Sequence, residues 1–171
     1  MLSDLFLIRH GQPVHNPSIP YQLPPGPELS ERGRVEARQV ANFLADKGIE
    51  QLLVSPFART TQTAEVLVDV LNIPVAFTAL VQEHAPDETF EQVRARIREV
   101  LAGLADSPYQ RIAIVSHGSP VRAFLLELSY DQIDLRHHVY PGGNPAPTCG
   151  IWHITFANQR ACRFDLVFKP S

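Results

Sequence analysis

Two histidines, His10 and His117, and two arginines, Arg9 and Arg59, stand where their spacing could do chemistry. Each histidine ends an apolar run and is followed by glycine. Leu5-Phe6-Leu7-Ile8 leads into Arg9-His10-Gly11, and Ile112-Ala113-Ile114-Val115-Ser116 leads into His117-Gly118. Short runs without charge predict strands buried on both faces, as in a parallel sheet. Such strands deliver their last side chains to the carboxyl edge, where open α/β sheets bind ligands. Glycine after each histidine turns the backbone and lets a ligand approach closely. Arg59 follows a third short strand, Gln51 to Ser55, in the first turn of a helix expected to open at Pro56. A helix start already bears partial positive charge, so an arginine there makes sense if an anion binds between the two.

Two guanidinium groups can hold the equatorial oxygens of a phosphoryl group and neutralise the charge that spreads there during transfer. A neutral imidazole is nucleophilic at physiological pH, so His10 could take the phosphoryl group itself and split one displacement into two. A departing alkoxide then needs an acid, for which Glu83 is the candidate, with Asp87 and Glu88 as rivals. Asn16 follows closely behind His10.

The elements that must position these groups alternate in type. Pro17 to Pro27 is rich in proline, which excludes a helix or central strand and predicts a stiff loop leaving directly from the site as one of its walls. Ser30 caps a helix from Glu31 to about Ala45, with Ala37, Val40, Ala41 and Leu44 inside and Arg34, Glu36 and Arg38 facing out. The helix after Ser55 buries Ala64, Val66, Leu67 and Leu71. Pro74 to Phe77 reads as a strand, and Glu88 to Ala105 as a helix with Phe90, Val93, Ile97, Val100, Leu101 and Leu104 inside. Pro120 opens another helix, with Val121, Phe124, Leu125 and Leu128 buried. After an irregular stretch from Asp131 to Gly150, Ile151 to Phe156 and Cys162 to Phe168 form an antiparallel hairpin. The fold class is therefore α/β: a three-layer sandwich with a mainly parallel central sheet, helices on both faces and an antiparallel C-terminal hairpin, in one domain over 1–171.

The 171 residues are 44% hydrophobic and 19% charged, with a net charge of −3, so no overall field draws in nucleic acid. Cys149 and Cys162 have no metal-type spacing and read as reduced thiols. The first strand begins within a few residues of Met1, leaving no room for a signal peptide, and no apolar stretch approaches the roughly 20 residues of a membrane span. A cytoplasmic location without membrane partners is expected. Seven histidines keep a metal hydrolase open as an alternative, with His84, His137 and His138 as recruits, but HExxH and Asp-rich pairs are missing.

Leu7-Ile8-Arg9-His10-Gly11-Gln12 followed by Asn16 resembles the first motif of the histidine phosphatase superfamily, the phosphoglycerate mutase-like proteins. Leu29-Ser30-Glu31-Arg32-Gly33, Ser55-Pro56-Phe57-Ala58-Arg59-Thr60-Thr61-Gln62-Thr63-Ala64 and Val115-Ser116-His117-Gly118 are similar to its later motifs, in order. The resemblance spans about three quarters of the chain, from residue 5 to about 128. It implies a phosphorylated nucleophile at His10 and a phosphate pocket of Arg9, Arg59 and His117. Asn16 would contact the transferring group, and Gln12, Gly11 and Gly118 complete the phosphate-binding set. It implies no metal and no organic cofactor, and a phosphorylated small molecule or phosphoprotein as substrate. Position 13 is proline where the family usually has a hydroxyl residue, Gln12 stands where many members have Glu, and the segment from Glu83 to His117 is short. A small cap leaves the site open to water, which favours a phosphatase over a mutase. A non-catalytic phospho-ligand-binding member is the third possibility.

Overall fold

The computed structural model describes residues 1–171. Its centre is strand β1 (Asp4–Arg9), flanked on one side by the parallel strand β4 (Arg111–Ser116) and on the other by the antiparallel strand β5 (Ile151–Ala157). Strand β2 (Gln51–Val54) pairs parallel with β4 and with β3 (Val75–Phe77), and β6 (Arg160–Phe168) closes the far edge antiparallel to β5. The order β3-β2-β4-β1-β5-β6 inserts β4 between β1 and β2, which follow one another in the chain but do not touch.

Side-chain alternation along the strands builds two cores. Leu5, Leu7, Ile112 and Ile114 face helices α3 (Phe90–Ala105) and α4 (Gly118–Leu128), with Trp152 among them. Phe6, Ile8, Ala113 and Val115 face helices α1 (Glu31–Leu44) and α2 (Ala58–Leu71). The expected stripe of α1 is fully buried, and its cap is as read: Ser30 Oγ accepts the Gly33 N–H at 3.0 Å. These are the three layers and mixed sheet expected from the sequence.

Several local readings are corrected. Glu36 does not face out but is buried, because its carboxylate accepts the Gln12 N–H at 2.9 Å and the Thr148 hydroxyl at 3.1 Å. Helix α2 starts at Ala58 rather than Pro56, and Thr60 and Thr63 are buried while Val66 and Leu71 are half-buried. Helix α3 starts at Phe90, capped by Thr89 in a reciprocal box with Gln92, because Glu88 pairs with Arg96 instead. Strand β6 begins two residues early, at Arg160, because Asn158 and Gln159 both take positive φ and make a tight two-residue turn. No helix is long and apolar enough to cross a membrane. Cys149 is buried and Cys162 exposed, both as free thiols.

Candidate active site

Three adjacent parallel strands end at one edge. Arg9 is in register with Ser116, and the His10 N–H continues the ladder by donating to the Ser116 carbonyl at 3.0 Å. His10 and His117 therefore emerge side by side, with ring centroids 5.3 Å apart, and Ser55 emerges at the end of β2 next to them. Helix α2 brings Arg59 back over the same edge. Thr60 fastens the helix start to the strand end by donating to the Ser55 carbonyl at 2.8 Å.

The His10 ring is held by its own neighbour. Nδ1 lies 2.7 Å from the Gly11 carbonyl and acts as donor there, which leaves Nε2 with its lone pair directed into the site. Gly11 in turn is fixed by Thr63, whose hydroxyl accepts the Gly11 N–H at 3.0 Å and donates to the Arg59 carbonyl at 2.7 Å. A side chain on Gly11 would collide with the Gly33 carbonyl, its Cβ only 2.7 Å away, so this turn admits only glycine. Arg59 Nε donates to His10 Nε2 at 3.2 Å, and its Nη2 donates to Glu83 Oε2 at 2.9 Å.

His117 is held differently. Nε2 meets Ser55 Oγ at 2.8 Å, while Nδ1 lies 3.4 Å from Glu83 Oε2, close but without an aligned hydrogen bond. Ser116, one residue earlier, donates to the Val81 carbonyl at 2.6 Å and so docks the segment that carries Glu83.

Burial first, then the nearby His117, Arg59 and Arg9, push the His10 pKa well below its usual value, so the ring is neutral at pH 7. Burial, against the pull of Glu83 and with help from Arg59 and Arg96, lowers His117 to about 4. Burial works to raise the Glu83 pKa, but the His117 contact, the His84 N–H and the Arg59 guanidinium outweigh it and hold the carboxyl down at about 2. Two guanidinium cations thus face one carboxylate and two neutral rings.

Four buried side-chain nitrogens have no hydrogen-bond partner, and three of them belong to this site, Arg9 Nε, Arg59 Nη1 and His117 Nδ1; the fourth, His138 Nδ1, lies away from it beside Trp152. Buried donors are seldom left unpaired, and these three belong to groups close enough to His10 to shift its pKa. An anion with several acceptor oxygens would satisfy them together. His10, Glu83 and His117 also bring ligand atoms within 4.8 Å of one another, close enough for a cation, but the two arginines give the pocket a positive balance that suits an anion better.

The structure brings Arg9, His10, Arg59, Glu83 and His117 together, with Gly11 fixing the His10 ring. Gln12 serves the frame: its N–H goes to Glu36 and its carbonyl accepts from Ser30. Asn16 is exposed, and its Oδ1 accepts the Ser18 N–H at 3.0 Å, closing its own turn. Gly118 begins α4 where the Asn144 side chain leaves no room for a Cβ. Asp87 is exposed and Glu88 is engaged by Arg96. His84 lies between Ser119 and the Glu88 carbonyl. Sequence reasoning assigned no part to Ser55, Ser116 or Tyr21. A hydroxyl closing an otherwise apolar strand, and a lone aromatic in a loop of prolines, were the available signals.

The model of the histidine phosphatase superfamily (branch 1) matches residues 5–86 and 78–161. Uncharacterized phosphatase PhoE of Bacillus subtilis is 25% identical over 151 residues, covering 75% of this chain and 78% of that protein. Probable phosphoglycerate mutase GpmB of Erwinia tasmaniensis is 30% identical over 80 residues, 47% of this chain but only 37% of that protein. Among solved structures, Bacillus stearothermophilus YhfR superposes with a TM-score of 0.78 at 19% identity, covering 93% of this chain and 94% of that one, a likeness of fold. With the match running through every strand end that builds the pocket, the chain belongs to the histidine phosphatase superfamily, branch 1.

Proposed function

We propose that the chain is a phosphatase that moves a phosphoryl group from a phosphomonoester, or from a phosphoprotein, onto His10 Nε2 and then to water. The orphaned nitrogens beside a neutral imidazole whose Nε2 lone pair points into the pocket are the observation that supports it. Arg9, Arg59 and His117 would hold the equatorial oxygens, where charge gathers in a loose transition state.

In the first step Nε2 attacks phosphorus, the ester P–O bond breaks, and the leaving oxygen takes a proton from Glu83. In the second, water attacks phosphorus, its proton passes to Glu83, and the P–N bond returns its electron pair to His10. The free carboxyl is ionised, the state suited to the second step. A phosphate dianion beside it raises its pKa and lets it carry the proton needed for the first.

Hydrolysis is favoured over mutase chemistry because the chain between Glu83 and His117 builds only α3 and β4, with no further helix to keep water out. We read the reaction as metal-independent, since the guanidinium groups already supply the positive charge that a metal would bring.

Hydrolysis of p-nitrophenyl phosphate in EDTA by the wild type and by His10→Ala tests this reading. Turnover in the chelator that vanishes in the variant is expected, with an acid-labile phosphoenzyme trapped only in the wild type. Activity lost to EDTA and restored by a divalent cation would overturn metal independence. Turnover surviving in His10→Ala would overturn the mechanism.

A further inference from the structure

One side chain at the pocket has no part in the steps above. The Tyr21 hydroxyl lies 3.3 Å from His10 Nε2, the atom that must meet phosphorus. Its ring covers the Arg59 guanidinium, with Cζ 4.0 Å from the ring centre, and stands edge-on to the His10 ring.

The loop that carries Tyr21 is tied to the start of α2, the helix that carries Arg59. The Pro25 carbonyl accepts the Ala58 N–H at 2.8 Å, and the Leu29 N–H donates to the Gln62 side chain at 2.7 Å. Gly26, at a φ of +67°, packs so closely that an added Cβ would lie 2.6 Å from Arg59 Nη1. Tyr21 and Arg59 are therefore placed by one scaffold.

His10 Nε2 has a single lone pair, yet two donors converge on it, Arg59 Nε and the Tyr21 hydroxyl. Both cannot stay there once that lone pair bonds to phosphorus. The phosphoryl oxygens then spread around the same point, and donors aimed at Nε2 become donors to them. Position 13, three residues beyond His10, is proline and offers no hydroxyl of its own.

We propose that Tyr21 is a catalytic residue whose hydroxyl donates a hydrogen bond to an oxygen of the transferring phosphoryl group, alongside Arg59. This rests on the reading of His10 as phosphoryl acceptor. The phenolic proton stays on Tyr21 throughout, so no bond is made or broken there. The same donor serves both steps, because the phosphoryl oxygens occupy the same place while phosphorus is on His10 and as it leaves.

Tyr21→Phe keeps the ring over Arg59 and removes only the hydroxyl. With p-nitrophenyl phosphate, kcat is expected to fall on the order of 10- to 100-fold, the loss typical of a hydrogen bond to a charged group, while KM changes little. Inhibition by orthovanadate, which mimics the five-coordinate transition state, is expected to weaken by a similar factor. Wild-type kcat and vanadate inhibition in Tyr21→Phe would overturn the proposal. So would a Tyr21→Ala variant faster than wild type, which would make the side chain a plug that swings away. His10→Ala separates the two failures. If it is inactive while Tyr21→Phe is fully active, only the role of Tyr21 is lost; if it retains activity, the mechanism beneath it is lost as well.

Discussion

At the end of β1, His10 gives Nδ1 to the Gly11 carbonyl and keeps Nε2 for the pocket. At the end of β4, one strand over, His117 gives Nε2 to Ser55 and turns Nδ1 toward Glu83. Both rings are fully buried, both follow an apolar strand and both precede glycine. What separates them is which nitrogen the surroundings occupy. A backbone carbonyl on Nδ1 fixes the tautomer and leaves the Nε2 lone pair directed into the pocket. A hydroxyl on Nε2 and a carboxylate near Nδ1 leave His117 with Nδ1 unpaired beside Glu83 instead. Similar strand–histidine–glycine turns thus hold two rings in opposite senses, which is the basis for proposing a nucleophile at one strand end and a phosphate support at the other.

The sharpest way to break that contrast is to remove each ring. His10→Ala is expected to abolish turnover and phosphoenzyme together, a loss on the order of 10⁴-fold or more, because the covalent route itself disappears. His117→Ala removes one donor to the oxygens, for which a loss on the order of 10²- to 10³-fold is expected, with phosphoenzyme still formed slowly. Equal losses, with no phosphoenzyme in either variant, would erase the distinction. Glu83→Gln sharpens it further by separating proton transfer from phosphate binding. Its loss is expected to be on the order of 10²-fold or more for alkyl phosphates but small for aryl phosphates, whose leaving groups need no proton. A rate profile across leaving-group pKa reads this directly, and parallel losses on both classes would remove Glu83 from proton transfer.

How much of this was legible beforehand follows from the range of the interactions involved. The strands ending in His10 and His117 were readable because an uncharged apolar run is a local signal, and their parallel arrangement followed from the helices between them. Arg59 stood out because a cation at a helix start is locally unfavourable, and it lies at the site against His10 and Glu83. Glu36 was misread because its partners, the Gln12 N–H and Thr148, lie 24 and 112 residues away, and helical periodicity alone sends a glutamate to solvent. Ser55 was given no role for the same reason, since its partner His117 is 62 residues on. Tyr21 sits in a loop whose path is set by contacts with Ala58 and Gln62, which no periodicity encodes.

The two rings should also be visible in the pH dependence of stability. Both have folded pKa values below that of an unfolded histidine, so on acidification the unfolded chain takes up protons first. Stability is therefore full above pH 6.5 and falls as the pH drops from there through the folded values. For His117, a shift from 6.5 to about 4 corresponds to about 3 kcal/mol lost by pH 4. Glu83 adds a loss of the same sign at lower pH, from 4.5 toward about 2. Urea midpoints measured from pH 7 to pH 4 should fall steadily in the wild type and less steeply in His117→Asn. An unchanged slope would mean that His117 titrates normally in the folded protein.

The finest distinction lies in a single hydroxyl. Ser55 touches His117 and not His10, so Ser55→Ala alters one ring and leaves the other's partners intact. Its hydroxyl also receives the Phe57 N–H at 3.4 Å, too long to matter much, so the loss is mainly the bond to His117. A net contribution of about 1 kcal/mol is expected for such a bond, hence a drop in kcat/KM of roughly fivefold. In the proposed mechanism His117 only supports phosphate, so the drop is expected to be the same for alkyl and aryl phosphates, unlike that of Glu83→Gln. Phosphoenzyme should still form, since the Gly11 carbonyl continues to hold the His10 ring. A Ser55→Ala variant that lost phosphoenzyme entirely would show that the two histidines act as one unit, and that occupancy of a single nitrogen does not divide their roles.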